Sequence, residues 1–578
     1  MTPMMSARLL KISSFVAAGL LISSPPLHAA VIPDAGSILR EQNPQRELPR
    51  DLPSAGRDPV IESSTFDKNL RVTVKAFRFE GYEGIATESE LQALVAGSIG
   101  KTLDSEGLRG IVGNVTARLK SKGWFLSRAY YPEQDLSSGI VTIAIVAGKS
   151  ESGVLIERDS STRIKNCVLK GYADHGARAG DALKKDDLER SVLLINDLPG
   201  MNVKAVIFPG SLPGSSGVKY AVSEASLLSG VVWVDNHGNR YTGKWRANAM
   251  VTLNDPLCYG DQLTVMFTGA TGLSQGQISY QAPIGTNGLK ARVSLSGMQY
   301  LLQEEFLNLD YRGESGVVDA GLSYPLIRSR KMSVTTGVTY SGKRLADRHS
   351  DIELSHRRVH SGTINLDAVN FDGWLGGGST SGHVAMSHGD FHELNETAYQ
   401  DAVTNGSEGR FTYFNTSVSR LQRISQRVTL DLSWRGQFAC NNLNSSEQFY
   451  LGGPNGVRAY PVGEAGGDEG HLFNVNLRCR LPVSPSIGNM ELSGFYDAGR
   501  ITLNHDRYEE DVVSATGNNG YWLQGLGIGL NWVYGSTLVV RSSWAHTIGG
   551  NPGRSIHGTN TDGRKDNNQF WFQAMIYF

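Results

Sequence analysis

Four stretches of this chain carry residue types that could do chemistry. Gly272-x-Ser274-x-Gly276 has the spacing of a nucleophile elbow, which needs a strand running into a helix; here it joins two strand patterns, so a hairpin turn is the better reading. Gly97-Ser98-Ile99-Gly100-Lys101-Thr102 approaches a phosphate loop, but Val95 stands where the first glycine is required, and the stretch reads as a turn between two helices. His356 and His360 are four apart among Arg357 and Arg358, in a loop or strand end where helical metal geometry does not apply. No H-E-x-x-H occurs among the 13 histidines. The fourth pair of stretches offers charge pairing rather than catalysis. Gly452-Gly453-Pro454-Asn455-Gly456-Val457-Arg458-Ala459-Tyr460-Pro461 is a glycine-rich loop with one arginine and one tyrosine, and Phe495-Tyr496-Asp497-Ala498-Gly499 follows about forty residues later. Glu491, Ser493, Phe495 and Asp497 share one face of a strand, because side chains alternate along it. A lone carboxylate in a closed lumen wants a cation, and Arg458 can answer with a bidentate fork. Tyr460 is expected to pack against Phe495. These readings predict no enzyme, no cofactor and no metal site.

The elements that position this pair are strands. From about residue 226 to Phe578, alternating segments are separated by Gly, Asn, Asp and Ser. In Val428 to Gln437, Val428, Leu430, Leu432 and Trp434 alternate with Thr429, Asp431, Ser433 and Arg435, and the same period recurs at Leu263 to Thr268 and Leu538 to Trp544. Apolar on one face and polar on the other suits a membrane barrel wetted by lipid outside and water inside. Phe570-x-Phe572-x-Ala574-x-Ile576-x-Phe578 reads as its closing strand. About 350 residues at roughly 22 per strand and connection give about sixteen strands. Charged residues are 19%, glycines number 67 and the net charge is −1, which argues against a nucleic-acid binder. No run of eighteen apolar residues occurs after residue 30.

Upstream lie smaller units. Residues 1–29 read as a secretory signal, with Arg8 and Lys11, an apolar Phe15 to Ile22, and a cleavage site at Leu27-His28-Ala29. Export would place the four cysteines in an oxidising compartment. They have no metal spacing. Cys440 and Cys479 fall on the strands flanking the Arg458 loop, on the apolar face of each, which leaves open a bridge between them or two separate lipid-facing thiols. Residues 30–69 form a leader with a short helical prospect at Asp34 to Gln42. Residues 70–149 give strand Arg71 to Glu80, a helix behind a Thr87/Glu90 capping box, a longer helix capped by Asp104 with Leu108, Ile111, Val112, Val115 and Leu119 at helical period, and strands Leu126 to Tyr131 and Ile140 to Val146. Residues 150–225 read as a second copy: a helix from Asp187-Leu188-Glu189-Arg190 stopped by Asn196-Asp197-Leu198-Pro199-Gly200, then strands Met201 to Phe208 and Val218 to Glu224. The open edge of such a sheet can receive an extended peptide.

The assembled pattern resembles the two-partner secretion transporters (the TpsB family of haemolysin secretion/activation type, POTRA-plus-barrel superfamily). Val457-Arg458-Ala459-Tyr460 is similar to their loop motif Val-Arg-Gly-Tyr, with Ala459 the departure, and Phe495-x-Asp497-x-Gly499 to their partner strand. Pro132-Glu133-Gln134-Asp135, the Leu-Glu-Arg … Asn-Asp-Leu-Pro-Gly series, Asp235-Asn236-x-Gly238 … Asn254-Asp255-Pro256-Leu257 … Gly260-Asp261 and Tyr324-Pro325-Leu326-Ile327-Arg328-Ser329 carry the resemblance along nearly the whole mature chain. It implies a mainly β fold: a transmembrane antiparallel β-barrel (226–578) after a plug helix and linker (30–69) and two small β-α-α-β-β POTRA domains (70–149 and 150–225). It implies a protein-conducting channel in the outer membrane of a Gram-negative bacterium, with its POTRA domains in the periplasm. The partner would be one large secreted protein of haemolysin, adhesin or contact-dependent toxin type, bound through its N-terminal secretion domain. Outer-membrane lipid, the barrel assembly machinery and periplasmic chaperones are the other implied partners; nucleic acid is not one. The site implied is a loop-to-barrel anchor of Arg458, Asp497, Tyr460, Phe495 and Gly499, with Gly452, Gly453 and Val457 in the loop motif. A barrel insertase of the same superfamily and a passive porin are the alternative functions.

Overall fold

The computed structural model describes residues 32–42, 71–212, 214–395, 406–507 and 516–578. The signal reading at 1–29 and most of the leader lie outside those residues.

Sixteen strands close into one antiparallel barrel. They are β1 Leu228–Asp235, β2 Arg246–Asn254, β3 Gln262–Ala270, β4 Leu273–Pro283, β5 Lys290–Leu301, β6 Tyr311–Arg328, β7 Met332–His349 and β8 Ile352–Asp372. The second half is β9 Gly378–Glu393, β10 Gly409–Arg423, β11 Val428–Ala439, β12 Glu469–Arg480, β13 Asn489–Thr502, β14 Gly520–Tyr534, β15 Leu538–Thr547 and β16 Asn568–Tyr577. The seam joins β16 to β1, with Ala574 opposite Val234 and Tyr577 opposite Val231, and Phe578 exchanges two backbone bonds of 3.0 Å with Gly230. Closure removes every sheet edge, as lipid requires. Apolar residues such as Val338, Ile364 and Val384 stand exposed on the outer face. Gly272 lies in the hairpin between β3 and β4, where Ala270 faces Leu273, with Ser274 and Gly276 on the strand.

The barrel is not empty. Helix α1, Ala35–Gln42, touches strands far apart on the wall: Ala35 N donates to Asp347 Oδ1 on β7 (2.9 Å), Arg246 on β2 donates to Gln42 Oε1 (2.8 Å), and Arg40 reaches Gln437 on β11 (3.4 Å). Only a helix inside the lumen can meet all three. Ile38, fully buried, packs with Met298, Tyr300, Leu345, Val359, Phe391 and Phe411 of the inner wall. Arg357 on β8 bridges Asp34 (2.5 Å) and Asp347, and Tyr300 adds a hydroxyl to Asp347 at 2.6 Å.

Two α/β modules precede the barrel. In the first, Ala76–Glu80 pairs parallel with Ile140–Val146, which pairs antiparallel with Arg128–Tyr130. The expected first strand is broken: Arg71–Thr73 turns away to pair with Thr102–Asp104. Helix α2, Glu88–Val95, has Thr87 at its N-cap position but no side-chain capping bond, so the expected capping box does not form. Glu90 instead accepts from Arg118 (2.8 Å) of helix α3, Ser105–Ser121, and from Lys122 just past its end; that helix is capped by Asp104 accepting from Gly107 N at 2.8 Å. Ile111, Val115 and Leu119 pack on Phe77, Phe79, Val141 and Ile143. The second module has the sheet order Lys149–Arg158, Ser215–Glu224, Met201–Pro209, with helices α4 Asn166–Gly176 and α5 Lys185–Asn196 against it.

Three of the motifs noted in the sequence meet where this second module docks on the barrel. Asp197, just past α5, receives a fork from Arg328 at the end of β6 (Nε and Nη2 each 2.7 Å from an Oδ), and Lys290 Nζ donates to its carbonyl at 2.7 Å. Arg190 donates to Pro325 O at 2.8 Å, and a side chain at Gly260 would strike Leu198. The turns at this end of the barrel therefore face the side from which the modules enter. Hydrogen bonds between charged groups are worth about 1.5–3 kcal/mol each when half-buried. Asp197→Ala and Arg328→Ala are expected to broaden the distance distribution between spin labels on the second module and on the barrel, equally and non-additively; unchanged distributions would show that the fork does not hold the modules.

Candidate functional site: a loop anchored in the lumen

The chain from 440 to 468 leaves β11, folds back into the lumen and returns to β12. Its two arms pair briefly, Phe449 with Gly467 and Tyr450 with Gly466. Beyond that ribbon the loop needs glycines at particular places. Gly453 has φ +111°, and any side chain on Gly452 would collide with Pro461 O and Glu464. Val457 N donates to Leu451 O at 2.7 Å and Tyr460 N to Val457 O at 3.1 Å, so the tip is tightly wound.

That winding presents Arg458 to Asp497 on the inward face of β13. Arg458 Nε lies 2.8 Å from Oδ2 and Nη2 2.7 Å from Oδ1, while the backbone N of Arg458 adds a third bond to Oδ2 at 3.1 Å. Asp497 is fully buried. Its remaining acceptor capacity is taken by Asn474 Nδ2 (2.7 Å), directly opposite on β12, and Asn476 Oδ1 accepts from Arg458 Nη2 at 2.8 Å. A buried carboxylate with both oxygens answered avoids the desolvation loss that makes lone buried charges so unfavourable. Removing one partner of such a pair costs about 3–5 kcal/mol.

Phe495, two residues before Asp497, carries the Arg458 guanidinium over its ring, 3.4 Å from the centroid. The cation takes a face of that ring, and Phe495 belongs to the same buried apolar cluster as Tyr460. Tyr460 is fully buried in the same apolar cluster with Tyr521, Leu523 and Leu472. Gly499 leaves the space that Leu451 and Val457 fill. Trp571 on β16 fixes the tip from the other side, donating from Nε1 to Arg458 O at 2.8 Å. Higher in the loop, Glu464 is buried and accepts from Asn551 Nδ2 (2.7 Å) and from Thr561 N and Oγ1 (both 2.8 Å), tying the loop to the connection between β15 and β16. Asn474, Asn476, Trp571 and Glu464 carried no motif; strand register alone would have found the two asparagines.

Ala459 sits where the resembling motif has glycine. Its φ is not positive, since Ala465 is the positive-φ non-glycine residue of this loop. Its methyl points at Gly525 on β14, where a Cβ would collide with it. The missing glycine in the loop is thus matched by a glycine in the wall.

The cysteines need a correction. All four are free. Cys479 is opposite Val428 at the start of β11, whereas Cys440 follows the end of that strand. Twelve residues at about 3.3 Å each put them on the order of 40 Å apart, against about 7 Å for the widest bridge. Face was legible from alternation, but height along the barrel was not. Among the described residues no cluster of His, Cys, Asp or Glu could hold a metal ion.

The facing of Ala459 and Gly525 gives a test. Gly525→Ala is expected to overpack the loop seat by about 1–3 kcal/mol and to make the loop more protease-sensitive, with Ala459→Gly restoring protection in the double variant. Equal sensitivity with and without Ala459→Gly would contradict this contact.

Comparison with known proteins agrees with these features. Residues 214–531 match the family model described as haemolysin secretion/activation protein ShlB/FhaC/HecB, and residues 72–148 match POTRA domain, ShlB-type. The heme/hemopexin transporter protein HuxB of Haemophilus influenzae strain 86-028NP is 25% identical over 580 residues, covering 98% of both chains. The outer membrane transporter CdiB of Dickeya dadantii is 23% identical over 493 residues, 83% of this chain and 85% of that one. In fold, CdiB from Escherichia coli superposes with a TM-score of 0.73 at 21% identity, over 90% of this chain and 93% of that one. The chain belongs to the haemolysin secretion/activation protein family ShlB/FhaC/HecB.

Proposed function

We propose that this outer-membrane barrel is a channel that exports one large partner protein, recognised in the periplasm by the two modules and passed out unfolded without nucleotide hydrolysis. The observation that carries this reading is a closed barrel with both a helix and an anchored loop inside its lumen, and two α/β modules in tandem, the second docked at its inner mouth. Residues 1–29 act as the export signal, 30–69 supply the plug and linker, 70–149 and 150–225 are the POTRA domains, and 226–578 is the pore. The edge strand Met201–Pro209 exposes Val206, Ile207 and Phe208, a strip on which an extended client can add a strand. The client is an exoprotein of the haemolysin, adhesin or contact-dependent toxin kind. No catalytic step is involved; folding of the client outside ratchets it outward.

Within this mechanism Arg458 and Asp497 keep the loop seated while the helix and the client exchange places in the lumen. The test is quantitative blotting of the partner in culture medium and at the cell surface, in a deletion strain complemented with wild type or Arg458→Ala. Arg458→Ala is expected to lower export at least ~10-fold, because unpairing Asp497 unseats the loop, with its barrel level unchanged. Normal export at normal level would remove the anchor from the mechanism. A joint fall of many outer-membrane proteins on deletion would favour an insertase.

A further inference from the structure

Alternation splits the stretch His356-Arg357-Arg358-Val359-His360 between two environments. Arg357 turns inward to Asp34 and Asp347. His356, Arg358 and His360 take the other face, the one that also carries the exposed Ile364 and Leu366. Register then sets Arg358 directly opposite Arg344 of β7, which shares its outward face with Val338 and Tyr340. Two arginines facing each other across a ladder repel. Among the described residues neither has an ion-pair or side-chain hydrogen-bond partner, while the acids nearby are drawn to other bases: Glu314 to Arg348 (3.9 Å), Glu353 to His356 (3.6 Å) and Asp390 to His392 (3.4 Å).

The height of this pair tells what could neutralise it. Arg344 and Arg358 lie toward the end of the barrel opposite the turns that hold the second module, and so toward the cell exterior. The lipid-facing band of Val338, Ile364, Leu366, Val384 and Met386 lies on the periplasmic side of them, with Tyr340 at its edge donating to or accepting from His360 Nδ1 at 2.8 Å. Four residues separate Tyr340 from Arg344, about 13 Å along the strand. That is headgroup depth for a lipid whose chains lie on the apolar band, just outside an aromatic girdle.

We propose that Arg344 and Arg358 form a binding site on the outer wall for the phosphorylated headgroup of an outer-leaflet lipid. Two guanidinium forks converge on one phosphate, a geometry that arginine provides and lysine does not. The phosphate removes the repulsion between them, and the acyl chains cover Val338, Ile364 and Met386 below. The site stands on the outside of the wall whose inner side holds Arg357, so lipid and plug grip the same strands from opposite faces.

The test uses the full-length protein in a non-ionic detergent, titrated with fluorescent diphosphoryl lipid A and with its dephosphorylated form, with inorganic phosphate as competitor. Barrel folding is checked by heat-modifiable electrophoretic mobility. Arg344→Gln/Arg358→Gln is compared with Arg423→Gln/Arg427→Gln, the same charge change at the periplasmic end. Wild type and the periplasmic control are expected to prefer the diphosphoryl form by ~10-fold or more, and the outer-wall double variant to lose that preference. Arg358→Gln alone is expected to weaken binding by ~3-fold or more, so the test stands even if the double variant does not assemble. Undiminished binding by these variants, or equal affinity for the dephosphorylated form, would overturn the site. Displacement by millimolar inorganic phosphate would make it a simple anion site and overturn the lipid.

Discussion

A carboxylate with no exposed surface, Asp497, sits on the inner wall of a barrel that must stay open to a passing chain. Its charge is forked directly by Arg458, and Arg458 can stay only while the whole loop from 440 to 468 is folded into the lumen. The loop's glycines, its ribbon at Phe449–Tyr450 and Gly466–Gly467, and the asparagines on β12 all serve that one placement. Burial makes the arrangement switch-like, because a half-seated loop leaves a bare charge in a poorly solvated place.

The helix is held differently. Asp34 shares Arg357 with Asp347, and the helix's far end rests on hydrogen bonds without an ion pair, from Asn239 to Glu41, from Arg246 to Gln42 and from Arg40 to Gln448 O. Were the helix to leave, Arg357 would keep Asp347, so no charge would be stranded there. The loop's anchor is answered differently: Asn474 and Asn476 are neutral, and the second wall cation near Asp497, Arg435, donates to Asn455 O of the loop itself. The chemistry therefore divides the lumen into an occupant that can depart and one that is expected to remain.

Strand faces were legible in the sequence because a period of two is local information, and Phe495-x-Asp497-x-Gly499 needed nothing else. The further contacts of the Arg458–Asp497 pair were not, since Trp571 comes from the last strand and Asn474 and Asn476 from register, both long-range facts. Ala459 shows the same limit: its acceptability depends on Gly525, in another strand, rather than on its own backbone. Whether Cys440 and Cys479 bridge was left open by the sequence, because alternation fixes side and not height; Cys440 falls just past the end of β11 and both thiols are free. Thr87 failed as a capping box because Glu90 was claimed by Arg118 and Lys122 from the neighbouring helix, an interaction invisible to a four-residue pattern.

The most direct measurement is a double-mutant cycle on the loop seat: wild type, Arg458→Ala, Asp497→Ala and the double variant, compared by pulse proteolysis of the loop in the folded barrel. If the ion pair is what holds the loop, each single variant unseats it as far as the double does, giving a coupling energy of about 3 kcal/mol or more. Additive losses, with the double variant weakened by the sum of the singles, would mean that the two residues act separately and that something other than their pairing keeps the loop in the lumen.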